Sequence, residues 1–224
     1  ERVSLVFATE VVGGELDPLL EIPVWANPQV LASQPPQRPN VVLISIDTLR
    51  ADRLSLYGYE RPTSPSLEAW VESRGATVFG NAVAQAPWTL PSHVSMLTGL
   101  DAVHHGVNFS SPAPPGLVTL AERLRDAGYA TVAFTGGGFV HPQWGFAQGF
   151  NQYGYFAVDM GFEDELESNL EGALRWLQEN HDRQFFMFFH TYEVHNPYRP
   201  RQPYFSEFSS YSPHYNVRID HVAA

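Results

Sequence analysis

The sequence predicts an α/β fold with a largely parallel central sheet flanked by helices. Three observations carry that prediction. Val41–Ile46, 129–134 and 185–189 are short, nearly continuous apolar runs, the pattern of strands buried on both faces. Segments with apolar residues at helical spacing stand between them. Each run ends in polar or glycine residues, and ligands in open α/β sheets bind outside the carboxyl ends of the strands.

The elements follow in order. Apolar runs at 3–8 and 19–25, parted by Gly13-Gly14, predict two strands and a turn. Residues 1–32 therefore read as a β-rich extension or the end of a preceding domain. Residues 33–39 form a proline-rich linker, and 40–224 form the α/β domain. The strand Val41–Ile46 runs into Asp47-Thr48. Asp47 thus stands where a metal ligand or catalytic carboxylate would stand, and also where an aspartate capping the next element would. Ser64-Pro65 opens a helix whose apolar face is Leu67, Trp70 and Val71, and Gly75 closes it. Residues 76–84 read as another strand.

A helix follows with Pro91 at its first position and Gly99 after its last. Thr89 lies at or just before the N-terminus, where free N–H groups and the positive end of the dipole suit an oxyanion. Its hydroxyl is a candidate nucleophile; a helix cap is the plainer use of the same residue. His104 and His105 are adjacent, so at most one faces a site. Leu117, Leu120, Ala121 and Leu124 mark a helix stopped by Gly128, and 129–134 form the next strand. Thr135-Gly136-Gly137-Gly138 reads as a flexible turn. Residues 145–155 read as a loop packed by its own aromatic rings.

Leu166, Leu170, Leu174 and Leu177 give a long helix. Its acidic first turn of Glu163, Asp164 and Glu165 matches the helix dipole and calls for no further role. The run 185–189 delivers His190 and His195 at its carboxyl end. His195, in a loop before Asn196-Pro197, is the better site candidate. His190 fits either a substrate-binding group or a buried structural histidine. A helix begins near Pro213.

Composition narrows the function. A net charge of -11 argues against nucleic acid as a partner. No cysteine is present, which excludes disulfides and thiolate chemistry. All 13 basic residues are arginine. No run reaches membrane-span length, and no signal peptide opens the sequence.

Three motifs now stand in order: Val-Val-Leu-Ile-Ser-Ile-Asp-Thr-Leu-Arg-Ala-Asp-Arg-Leu-Ser-Leu-Tyr-Gly-Tyr from Val41, Thr-Leu-Pro-Ser-His from Thr89, and His195-Asn196-Pro197-Tyr198. From about Asn40 onward the sequence resembles the sulfatase family of the alkaline phosphatase superfamily. The resemblance implies an alkaline phosphatase-like α/β sandwich, cut short here at its C-terminus. It implies one or two divalent metals (Ca, Zn, Mn or Mg) at the carboxyl ends of the strands. Asp47 matches the first metal-binding aspartate, whereas Thr48 replaces a second one. Thr89 falls on the nucleophile of the Cys/Ser-x-Pro-Ser-Arg motif, where it would also touch the metal. Sulfatases convert that Cys or Ser to formylglycine, an aldehyde that threonine cannot supply. His93 replaces the arginine, and the family's active-site lysines have no counterpart. His195 matches the histidine that contacts the sulfate or phosphate.

A threonine nucleophile is the pattern of relatives acting on phosphorus, such as nucleotide pyrophosphatase/phosphodiesterases and lipoteichoic acid synthases. The expected activity is metal-dependent hydrolysis of a small-molecule or glycan sulfate or phosphate ester, with Thr89, His93 and His195 catalytic. His190 and His195 would bind substrate, and Asp47 and Thr89 the metal. A phosphoryl-group transferase and a non-catalytic binding fragment are the alternatives. The family's later Asp-His metal ligands have no good match at Asp220-His221, so the sequence reads as the N-terminal part of a longer protein. A periplasmic or extracellular place is implied by the resemblance alone.

Overall fold

The structure, a computed structural model, describes residues 38–155, 165–196, 198 and 201–208. The expectations for 1–37, for Glu163 and Asp164, for a helix from Pro213 and for Asp220-His221 lie outside the described residues. No helix among the described residues is long and apolar enough to cross a membrane.

Four strands build the sheet: β1 (Val41–Ile46), β2 (Ala130–Thr135), β3 (Gln152–Tyr155) and β4 (Phe185–Thr191). Their order is β1-β4-β2-β3, and every pairing is parallel. The α/β fold with a parallel sheet is thus observed. β4 is buried at all seven positions because it lies between two neighbours and under helices on both faces. β3 lies in the stretch expected to be a loop. Its Gln-Tyr-Gly-Tyr sequence is too short for a pattern, and pairing with β2 makes it a strand.

The helices are α1 (Pro65–Arg74), α2 (Thr89–Thr98), α3 (Ala102–His105), α4 (Leu120–Asp126), α5 (Glu165–Asn180) and α6 (Tyr204–Phe208). On one face of the sheet, Leu90, Val94 and Leu97 of α2 and Ala121 of α4 join Phe186 and Phe188 of β4 in one core. On the other face, Ala173 and Trp176 of α5 pack with Val132, Phe185, Met187 and Phe189. β1 contributes Val41 and Leu43 to the first core, while Val42, Ile44 and Ile46 on its second face stay exposed.

Several expectations change. α1 begins at Pro65 and is closed by Gly75 in the left-handed region, as expected, but none of its residues is buried. Ser64 makes no cap bond; its hydroxyl accepts from the Leu56 amide at 3.0 Å and donates to Glu68 at 3.1 Å. Residues 76–84 are not a strand, since no described strand lies beside them to complete a ladder, and Val83 is 81% exposed. α2 starts two residues earlier than expected: Trp88 is its N-cap and Thr89 its first residue. Pro91 therefore sits third, where its missing N–H costs no internal bond. In α5 the buried stripe is Glu165, Asn169, Ala173 and Trp176, while Leu170 and Leu174 of the expected stripe are exposed.

α4 has the capping box its sequence allows: the Thr119 hydroxyl accepts from the Glu122 amide at 3.1 Å, and Glu122 accepts from the Thr119 amide at 2.9 Å. Gly149, with φ +89, packs directly on the Glu122 backbone, so a methyl group there would collide with the first turn of α4.

The sheet's centre sets the stability of this arrangement. Phe186 is fully buried on β4 and stacks on Phe150 at 5.7 Å. Phe186→Ala should destabilise the chain by about 3–5 kcal/mol in urea unfolding; a loss under about 1 kcal/mol would contradict the packing described.

Candidate active site

One cleft, about 1040 Å³ in volume, opens at the carboxyl ends of β1 and β4. Strand register explains what it contains. β1 and β4 pair Ser45 with His190 and Ile46 with Thr191, and the Asp47 amide extends the ladder to the Thr191 carbonyl at 3.0 Å. Side chains alternate along a strand, so Ser45 and His190 face α2 together with Leu43 and Phe188. The chain then turns sharply at Thr48, whose φ of 60° is left-handed. That conformation is unfavourable for a β-branched residue. A hydrogen bond from its hydroxyl to the Val194 carbonyl, 3.1 Å, helps hold it.

The structure brings Asp47, Thr89, His93 and His195 to the wall of this one cleft. His190 lies behind the wall, fully buried. Thr89 is the first residue of α2, so it is not the cap. Its side chain stands beside both the Asp47 carboxylate and the Tyr192 phenol. His195 is partly exposed; its amide donates to the Tyr192 carbonyl at 2.8 Å and its Nδ1 meets the Asn196 carbonyl at 2.6 Å.

His93 is anchored at both ring nitrogens. Nδ1 lies 2.8 Å from the Thr89 carbonyl and Nε2 2.9 Å from the Ser45 hydroxyl. A carbonyl only accepts, so Nδ1 carries the proton and Nε2 accepts from Ser45. Burial, then the nearby His190 imidazole, push the His93 pKa down to about 4, against the pull of the Thr89 carbonyl and Asp47. His93 is therefore neutral at pH 7 and brings no positive charge to the place where the family carries arginine.

Asp47 titrates below the ordinary aspartate value. Burial raises it, but the His190 and Thr89 side chains and the two imidazoles outweigh that. It is an ionised, buried carboxylate. Its Oδ2 and both ring nitrogens of His190 have no hydrogen-bond partner, with Asp47 Oδ2 and His190 Nε2 3.5 Å apart. Buried polar atoms are seldom left unpaired. One ligand atom each from Asp47, His93 and His190 lies within 4.8 Å of the others. One carboxylate and two imidazoles are a donor set that fits a divalent transition metal. Binding through His93 Nε2 would displace the Ser45 hydrogen bond. The sequence pointed to Asp47 and Thr89 for the metal, whereas the two imidazoles emerge from the fold.

Several contributors escaped the sequence reading. Glu165 is buried against the end of β4: it accepts from the Thr191 hydroxyl and the Tyr192 amide, each at 3.1 Å, and from Asn169 at 3.0 Å. It thus does more than complement a helix dipole. Ser45 had a legible signal, as a polar residue at an inward position two before Asp47. Among the described residues, Arg201 is the single Arg or Lys of the cleft wall, and it is paired with Glu193 at 3.0 Å and with Glu167. His104 and His105 stay away from the cleft: His105 is buried on Ser95, and His104 bonds Asp101.

Comparisons with known proteins bear on the family and the fold. The model of a family described as Sulfatase matches residues 39–223. Phosphoethanolamine transferase CptA of Salmonella typhimurium is 31% identical over 115 residues, which is 51% of this chain and 18% of CptA. An arylsulfatase of Clostridium perfringens is 29% identical over 150 residues, 63% of this chain and 31% of the arylsulfatase. The chain therefore spans less than a third of the length of these curated relatives. The crystal structure of the C-terminal periplasmic domain of EptC from Escherichia coli, a complex with Zn, aligns with a TM-score of 0.60. That alignment is 21% identical and covers 78% of this chain and 49% of the other. At such identity it speaks for the fold.

Glu165→Ala would leave the Thr191 hydroxyl and Tyr192 amide without their carboxylate. It should cost about 1–3 kcal/mol in thermal or urea unfolding; no measurable loss would mean that these groups find other partners.

Proposed function

The chain belongs to the sulfatase family of the alkaline phosphatase superfamily, and from that premise we propose that it serves metal-dependent cleavage of sulfate or phosphate esters with Thr89 as the nucleophile. The observation that carries this reading is that Thr89 and the ionised Asp47 carboxylate line one cleft, while the unpaired ring nitrogens of His190 lie buried behind its wall, Nε2 3.5 Å from Asp47 Oδ2.

Asp47, His93 and His190 would hold the divalent ion, and with two imidazoles among them they suit Zn or Mn better than Ca or Mg. Once bound it would supply positive charge for the ester oxygens and lower the pKa of a hydroxyl beside it. The need for that charge is visible: His93 is neutral, and Arg201 is already engaged by two carboxylates.

The chain's own residues take the remaining roles. Thr89 offers its oxygen to sulfur or phosphorus; the new Thr89 O–S or O–P bond forms as the bond to the leaving group breaks, the Thr89 proton passes to solvent, and the leaving oxygen takes up a proton. The early N–H groups of α2 have no partners within the helix and suit the oxygens of the transferring group. His195, partly exposed at the rim, binds an ester oxygen or protonates the leaving group. His93 holds the first turn of α2 through the Thr89 carbonyl, and Ser45 fixes the ring of His93. The covalent ester on Thr89 is then released to water. A small-molecule or glycan ester fits a cleft of this size.

A second reading is transfer of a phosphoryl-linked group to an acceptor other than water. Its support is the likeness to a phosphoethanolamine transferase. One of the similar structures is a periplasmic domain, which supports a periplasmic or extracellular setting.

Thr89→Ala should abolish turnover of 4-nitrophenyl sulfate, 4-nitrophenyl phosphate and bis(4-nitrophenyl) phosphate by the full chain with zinc or calcium present, while Thr89→Ser retains part of it. Full activity of the alanine variant sinks the nucleophile assignment. Zinc affinity, read by calorimetry, should fall at least about tenfold in His190→Ala, because even outer partners of metal ligands contribute about 10–100-fold. Unchanged affinity would place the metal elsewhere.

A further inference from the structure

The residue directly before Thr89 is a tryptophan whose ring is 41% exposed. Trp88 is the N-cap of α2, yet its side chain makes no cap bond. An indole cannot accept from the helix amides as Ser, Thr, Asp or Asn would, so capping does not account for it. Trp88 lines the cleft, and so do Leu49 and Met96, 39% and 42% exposed. Single exposed apolar residues are ordinary, but three that line one concave site are the mark of a ligand surface.

The Trp88 ring is held by its neighbours. Phe109 meets it edge-on at 5.1 Å and Phe139 at 5.4 Å. Phe139 is itself fixed: its ring stacks on Trp144 at 5.6 Å, and its amide donates to the Tyr192 oxygen at 3.2 Å. The Trp144 indole N–H donates to the Gly138 carbonyl at 3.0 Å. The glycine run leaves room for Tyr192, since a Cβ on Gly136 would stand 2.7 Å from Tyr192 Cδ2. The aromatic wall is therefore formed before any ligand arrives, which lowers the ordering cost of binding.

Charge narrows what this wall can take. Asp47, Glu165 and Glu193 line the cleft, and Arg201 is engaged by Glu193 and Glu167. Beyond the one anionic group that a metal would neutralise, a second anionic group on the substrate meets carboxylates.

We propose that Trp88 is a substrate-contacting, specificity-determining residue: with Leu49 and Met96 it binds the organic part of the ester, an uncharged ring with apolar surface. That ring is an aryl group or the C–H face of a sugar. Phe109 and Phe139 keep Trp88 in place, and substrates with further anionic groups are selected against. The inference rests on the cleft being an ester site, and it does not depend on Thr89 being the nucleophile.

The test is calorimetry on the full chain with zinc, using phosphonates, whose P–C bond offers no leaving group; the matching sulfonates cover a sulfate site. Phenylphosphonate, or the methylenephosphonate analogue of glucose 6-phosphate, should bind at least about tenfold tighter than methylphosphonate. Which of the two gains identifies the ring as aryl or sugar. The gain should vanish in 4-carboxyphenylphosphonate. Trp88→Ala should cut the ring gain to within about threefold and leave methylphosphonate within about twofold, while Trp88→Phe keeps part of the gain. An equal ring gain in Trp88→Ala overturns the proposal, and so does loss of methylphosphonate and the ring ligand alike, which makes Trp88 structural. A 4-carboxyphenyl ligand as tight as the phenyl one overturns the selection against charge. Methylphosphonate or methanesulfonate binding with no ring gain in the unaltered chain removes this inference and leaves the ester site standing. If neither series binds with zinc present, the ester-site reading falls and this inference falls with it.

Discussion

The site depends on the parallel register of β1 against β4. Ser45 opposite His190 and the Asp47 amide on the Thr191 carbonyl bring two strand ends, distant in sequence, to the same level. A slip of one residue would turn Ser45 and His190 to the other face of the sheet, away from α2. The register is enforced by burial: Phe186 and Phe188 must meet Leu90 and Val94, and this sets the height of α2 over the strands. Thr89, at the first turn of that helix, is thereby delivered to the mouth of the cleft.

Electrostatics complete what packing begins. A metal binds deprotonated groups, and the fold holds the candidate ligands in that state: Asp47 below its ordinary pKa and His93 at about 4. The cost is visible in three buried atoms without partners, Asp47 Oδ2 and both nitrogens of His190. Partly satisfied networks of this kind are poor for stability, and proteins break such local rules chiefly at functional or strained sites. Thr48 adds to the pattern, being a β-branched residue held at positive φ directly beside the carboxylate.

The outer layer of the site is a positioning layer. Ser45 orients His93, His93 holds the Thr89 carbonyl, and Glu165 holds Thr191 and Tyr192. The Ser45–His93 link joins β1 to α2 and the Glu165 links join α5 to the end of β4, so α2 and α5 are tied to the strand ends from opposite faces. Trp88 closes the rim, edge-on to Phe109 at 5.1 Å and to Phe139 at 5.4 Å. Rigid aromatic contacts there keep the first turn of α2 from fraying into the cleft.

The sequence by itself determined the strands at Val41–Ile46, β2 and β4, the left-handed glycine after α2, and the approach of Asp47, Thr89 and His195 to one region. Such features are local: apolar runs, capping residues and the polar residue after a strand are written within a few positions. Tertiary structure decided the rest. β3 exists because β2 lies beside it, and 76–84 is no strand because no described partner does. Glu165 looked like a dipole-matching charge until the end of β4 arrived against it. The glycine run looked like a flexible turn until the Tyr192 ring filled it. The pairing of His93 and His190 with Asp47 depends on three elements far apart in the chain. No local pattern encodes a distance between such elements; only the packed sheet and its register set it.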